Sequence, residues 1–102
     1  MVRVIVDVCV IPIGVGVSLS AYVAACERIF LQHGLEVKLH ATGTDIAGEW
    51  DVVFAALKQC HQTLHEMGAP RINTTLKLGT RTDRQQSMAE RIQSVEEKLS
   101  GP

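Results

Sequence analysis

From Val2 to Pro12 the chain reads VRVIVDVCVIP, apolar at nearly every position and rich in β-branched residues, with Gly14 and Gly16 close behind. That pattern predicts a strand closed by Pro12 and followed by a loop. Leu19, Val23, Cys26 and Phe30 then recur near helical spacing. They predict a helix running to His33, with Ser18 or Ser20 as its N-cap and Gly34 at its left-handed C-terminal cap. From Leu35 to Thr42 the period changes to two. Leu35, Val37, Leu39 and Ala41 fall on one face, and Glu36, Lys38, His40 and Thr42 on the other. A half-buried strand follows from this alternation. Gly43 turns the chain into a short strand over Thr44–Ala47 that Gly48 stops.

A second helix is predicted from Trp50 to Met67, carrying Val53, Leu57, Cys60 and Leu64 on one stripe and closed by Gly68. Pro70 opens a fourth strand, in which Ile72, Thr74, Leu76 and Leu78 alternate with Arg71, Asn73, Thr75 and Lys77. After the polar loop GTRTDRQQ, Ser87 and Glu90 form an S-x-x-E capping box. They start a last helix with Met88, Ile92, Val95 and Leu99 on its inner face, while Ser100, Gly101 and Pro102 should fray.

The order is β-α-β-β-α-β plus a C-terminal helix: an α+β chain with the split βαβ arrangement of ferredoxin-like domains, one domain over 1–102. Right-handed crossovers put both main helices on the same side of a four-stranded antiparallel sheet. The first strand is apolar on both faces, Val2 to Val10 on one and Ile5, Cys9 and Ile11 on the other. An open sheet face needs only polar side chains. Its apolar character predicts a homo-oligomer, a dimer or tetramer joined sheet to sheet.

At 102 residues the chain can bury roughly 65% of its unfolded surface, enough for a core without staples. A net charge of −1 removes the overall basic field expected of a nucleic-acid or anionic-membrane binder. The aromatics Tyr22, Phe30, Trp50 and Phe54 all fall on predicted helices, whereas ferredoxin-like RNA binders stack bases on strand aromatics. Cys9, Cys26 and Cys60 are an odd number without C-x-x-C spacing, which suits neither a disulfide framework nor a zinc knuckle and predicts a reducing, cytoplasmic setting. Asp7 and Pro12 interrupt the apolar N-terminus, so neither a signal peptide nor a membrane span is expected.

Asp7 is the most informative position, because a carboxylate among apolar strand residues needs a partner or a ligand. An ion pair with Arg3, Lys38 or Arg71 is one reading, and a ligand anchor is the other. His40, Thr42, Asn73 and Thr75 share its sheet face by parity, and with Thr44 they complete a candidate ring of hydrogen-bonding groups around an apolar cleft. An ordinary solvated sheet face would carry the same residue types. His61 and His65 stand at i, i+4, a possible metal spacing. The HQTLH sequence lacks a third ligand, however, and exposed helical histidines are expected, with no metal and no cofactor. Cys26 and Cys60 fall on core stripes as small hydrophobes, so no catalytic nucleophile is expected. GVGVSLS lacks the full dinucleotide fingerprint, and a turn explains it. Arg71, Lys77, Arg81 and Arg84 against Asp83 make a local basic patch able to meet phosphate, or simply a solvated charged loop.

The segments VCVIPIG at 8–14, ATGTDIAGEWD at 41–51 and GAPRINTTLKLGTRTD at 68–83 resemble the small thiamine-binding family related to YkoF, in order and spacing from Val2 to about Leu99. The resemblance implies a ferredoxin-like subunit, sheet-to-sheet dimers joined into tetramers, and a thiamine or hydroxymethylpyrimidine site near the subunit interface, with no catalytic activity. Two positions depart from its usual pattern: Val15 in place of Thr, and Ala47 where Glu is common, with the acid moved to Glu49. The function expected is non-catalytic binding of thiamine or a related pyrimidine. The alternative is a structural or adaptor homo-oligomer without a ligand. An acylphosphatase-like enzyme on the same fold would need a glycine-rich phosphate cradle beside a catalytic Arg, and the sequence offers none.

Overall fold

A computed structural model describes residues 3–101. The elements are β1 (Arg3–Ile13), α1 (Ser20–Gln32), β2 (Glu36–His40), β3 (Gly43–Glu49), α2 (Trp50–Glu66), β4 (Arg71–Thr80) and α3 (Met88–Ser100). The sheet order is β2-β3-β1-β4 with every neighbouring pair antiparallel. This is the ferredoxin-like α+β arrangement expected from the sequence.

The alternation read along each strand decides what faces the helices. Val4, Val6 and Val8 of β1 are buried with Ile46 of β3 beneath Ala25, Cys26, Ile29 and Phe30 of α1 and Val53, Ala56, Leu57, Cys60 and Leu64 of α2. Both helices end alike. Gly34 and Gly68 have φ of +72° and +106°, and the next N–H, of Leu35 or Ala69, reaches back to the carbonyl of Phe30 or Leu64. Glycine suits that left-handed position, and the buried Leu35 and Ala69 pin each helix end to the core.

Several boundaries differ from the sequence reading. Pro12 does not end β1, which continues to Ile13 by pairing with Arg71. β3 reaches β1 only as far as Val8, so Pro12 lies where one side of β1 is an edge and a missing N–H is tolerated. Neither Ser18 nor Ser20 caps α1; the N-cap is Leu19, with no side-chain hydrogen bond. Gly48 does not stop β3, because the Leu35 side chain covers it where a Cβ would lie 2.6 Å from Leu35 Cδ2. Val2 and Pro102 lie outside the described residues.

The capping box of α3 forms as expected, Ser87 accepting from the Glu90 N–H. Glu36 reinforces it from the far edge of the sheet, accepting from the backbone N–H groups of Met88 and Ala89 while bound to Arg3 at 2.8 Å. Of the expected inner face, Met88 is buried, but Val95 and Leu99 are 59% and 80% exposed. α3 extends to Ser100, whose hydroxyl donates to the Glu96 and Glu97 carbonyls. α3 is thus an arm held mainly by its first turn. The radius of gyration, 15.2 Å, exceeds the roughly 13 Å of a compact chain this long. The surface of 6627 Å² likewise exceeds the roughly 5,700 Å² expected for this mass.

Candidate functional site

Because β1 overshoots β3 by the length of Cys9–Ile13, alternate backbone N–H and C=O groups on that side lack a strand partner. A cleft of about 750 Å³ occupies the notch, between this free edge, α1 and the β2–β3 turn. Its walls are largely apolar, from Val10, Leu19, Val23, Phe30, Leu31 and Leu39. A concave, mostly apolar site with a few convergent polar groups is the usual make-up of a small-molecule pocket.

The polar side chains are those of Ser20, Glu27 and Arg28 from α1, Thr44 from β3, and His40 and Thr42 at the turn. Thr44 is 6% exposed and donates its hydroxyl to Glu27 Oε1 at 2.9 Å. The other carboxyl oxygen, Oε2, is buried without a hydrogen-bond partner among the described residues. Burial holds the Glu27 acid above the ordinary glutamate range, against the opposing effects of the Thr44 hydroxyl and the nearby His40. A carboxyl group so placed can donate when protonated and accept through its free oxygen, which suits a ligand with a ring nitrogen beside an amine.

The residues foreseen as site candidates divide between two faces. Thr44, Thr42 and His40 line the cleft, whereas Asp7 belongs to the open sheet face, opposite Asp45 of β3 and Lys77 of β4. Asp7 is exposed, and its partner is none of Arg3, Lys38 and Arg71 but His40, whose Nε2 lies 3.0 Å from Asp7 Oδ1 and 3.6 Å from Asp45 Oδ1. Thr42 Oγ1 is 3.5 Å from the other ring nitrogen. His40 therefore joins the two faces around the sheet corner. Asn73 and Thr75 lie opposite Ile11 and Cys9 on the open face and do not line the cleft. Nor do the two departures from the family pattern: Val15 packs against the core and Ala47 is fully buried.

Asp7, His40 and Asp45 also form a group of three potential metal ligands, their donor atoms within 4.8 Å of one another. The histidine pair on α2 is engaged otherwise, His61 with the Thr74 hydroxyl and His65 with the Ala69 carbonyl. Cys26 and Cys60 are buried, and the hydrogen bond between them raises the Cys60 thiol and lowers that of Cys26, while burial raises both. No helix among the described residues is long and apolar enough to cross a membrane.

Glu27 was missed in the sequence. The signal was present: it lies four residues after Val23 and three before Phe30, a charge on the helix stripe that faces inward.

The chain resembles known proteins in sequence and in fold. Residues 6–96 match the family of thiamine-binding proteins. The UPF0045 protein sll0230 of Synechocystis is 55% identical over 94 residues, covering 92% of this chain and 78% of that one. MJ1052 of Methanocaldococcus jannaschii is 30% identical over 97 residues, and its crystal structure superposes with a TM-score of 0.86, covering 95% of this chain and 99% of that one. A Thermotoga maritima protein described as a candidate for thiamine biosynthesis or salvage shares the fold, with a TM-score of 0.76 at 16% identity and coverage of 91% and 98%.

Proposed function

The chain belongs to the thiamine-binding protein family, and on that footing we propose that it binds thiamine, or a related aminopyrimidine, without transforming it. The site is the cleft between α1 and the free edge of β1. One observation carries this reading: the half-satisfied Glu27 carboxyl, anchored by Thr44 and left with an unpartnered oxygen. An aminopyrimidine presents an amine donor beside a ring nitrogen. Protonated Glu27 gives its proton to that nitrogen and accepts from the amine. Phe30, Leu31 and Leu39 supply apolar surface for the ring faces. His40 and Thr42 close the turn side, with Asp7 fixing the His40 ring from the far face.

The open face serves self-association in this proposal. Ile5, Cys9 and Ile11 of β1 stand there, with Asn73 and Thr75 beside them, and α3 leaves Val95 and Leu99 uncovered. A second copy is the simplest cover for that surface.

Titration calorimetry with thiamine, its phosphates and hydroxymethylpyrimidine tests the reading. Wild-type protein should bind at least one of them, and Glu27→Gln should keep its fold while losing tenfold or more, about 1.4 kcal/mol. No binding of any of them by the wild type overturns it and favours a purely structural oligomer.

A further inference from the structure

At the other end of β1 the fold assembles a second hollow, of about 280 Å³. Its lining includes Arg3 from the start of β1, Arg81 and Arg84 from the loop after β4, and Arg91 from α3, with the side chains of Gln85 and Gln86. No carboxylate is among its lining residues. A chain of net charge −1 has thus brought four guanidinium groups around a space with room for a phosphate group and part of a small organic ester. Guanidinium cannot shed its proton in a protein, so the mutual repulsion is relieved only by negative charge, which Glu36 and Asp83 supply to Arg3 and Arg81 and nothing supplies to the other two among the described residues.

Two of the four are already held in place. Arg3 is bound to Glu36 at 2.8 Å, while Arg81 donates through Nε to Asp83 at 2.7 Å and through Nη1 to Gln86 at 3.0 Å. The other two, Arg84 and Arg91, make no ion pair among the described residues. Arg3 Nε is in addition a buried donor with no acceptor among the described residues, an arrangement that is costly unless a partner arrives.

We propose that this hollow is a binding site for a phosphate group, as inorganic phosphate or the terminal phosphoryl of a small monoester. Tetrahedral phosphate offers several oxygen edges at once, which planar guanidinium forks meet two bonds at a time. The neutral amides of Gln85 and Gln86 add donors without adding charge. The site is separate from the cleft. Arg3 and Ile11 are eight residues apart on one strand, about 26 Å, farther than a ligand filling the cleft extends. Phosphate binding here therefore does not depend on the identity of the cleft ligand.

The test is calorimetry and ³¹P line broadening with inorganic phosphate and with ribose 5-phosphate, ionic strength being matched with chloride. Wild type should bind one equivalent per chain, saturably. Arg84→Gln/Arg91→Gln should melt like the wild type in chloride and lose at least tenfold in phosphate affinity, with thiamine binding unchanged. Arg84→Lys/Arg91→Lys keeps the charge but loses the forks, and should also bind several-fold more weakly. Tighter binding of ribose 5-phosphate than of phosphate would identify a monoester as the natural ligand, and the reverse would identify the free ion. Non-saturable binding overturns the site. So does undiminished affinity in both double variants, which would reduce the effect to general screening.

Discussion

Thr44 and Glu27 meet across the layer boundary of the fold, the β3 hydroxyl donating to the α1 carboxyl at 2.9 Å on the floor of the cleft. Thr44 is fully committed by this contact, while Glu27 keeps one oxygen unpartnered. The pair ties α1 to β3 at the floor of the cleft.

Burial raises the Glu27 pKa, so the folded chain holds a proton at a pH where the unfolded chain has released it. Stability in the absence of ligand should therefore fall as pH rises from the ordinary glutamate value through the raised one. Glu27→Gln should flatten that decline and be at least as stable as wild type above it. Urea unfolding between pH 4 and 8 reads both. A wild-type profile that climbs through this interval and is unchanged by the variant would contradict the assignment.

Thr44→Val keeps shape and removes the hydroxyl. It should destabilise by about 1–3 kcal/mol at neutral pH, since both Glu27 oxygens are then unsatisfied. With Glu27→Gln as background the loss should shrink, and a double-mutant cycle gives the coupling.

The Asp7–His40 contact is half-exposed, so Asp7→Asn should cost no more than about 1 kcal/mol. Prolonged chelation should leave the melting temperature unchanged, although Asp7, His40 and Asp45 lie within reach of one cation. A stoichiometric metal in purified protein, with a melting temperature that drops on chelation, would show that this trio is a metal centre.

Burial pushes the Glu36 acid up, but the N–H groups of Met88 and Ala89 and the Arg3 guanidinium outweigh it and hold the pKa below the usual range. Its contribution is present above the ordinary glutamate pKa and is lost as pH falls through the lowered one. Glu36→Gln should loosen α3 specifically. Hydrogen exchange at the first-turn amides of α3 should speed up while that of the β1 core amides stays the same.

Ile5→Glu on the open face and Val95→Glu on α3 should each lower the mass seen in sedimentation at micromolar concentration, with helical circular dichroism retained. A wild type that sediments as a monomer would remove the case for self-association.

The strands, both core helices and the α3 cap were legible because each is a local pattern. Period two in β4, the Val53–Leu64 stripe and the Ser87–Glu90 box depend on residues a few positions apart, and local sterics and hydrogen bonding fix them. The two-sided apolar character of β1 was legible for the same reason. What the sequence could not decide was the length by which β1 outruns β3, since that register is settled by pairing between strands more than thirty residues apart. The cleft exists because of that overshoot, and the pairing of Thr44 with Glu27 on its floor depends on how α1 packs against β3. The arginine hollow likewise draws on both ends of the chain. Side chains distant in sequence meet only where the packed core leaves them, so the chemistry available to each site was decided by tertiary structure.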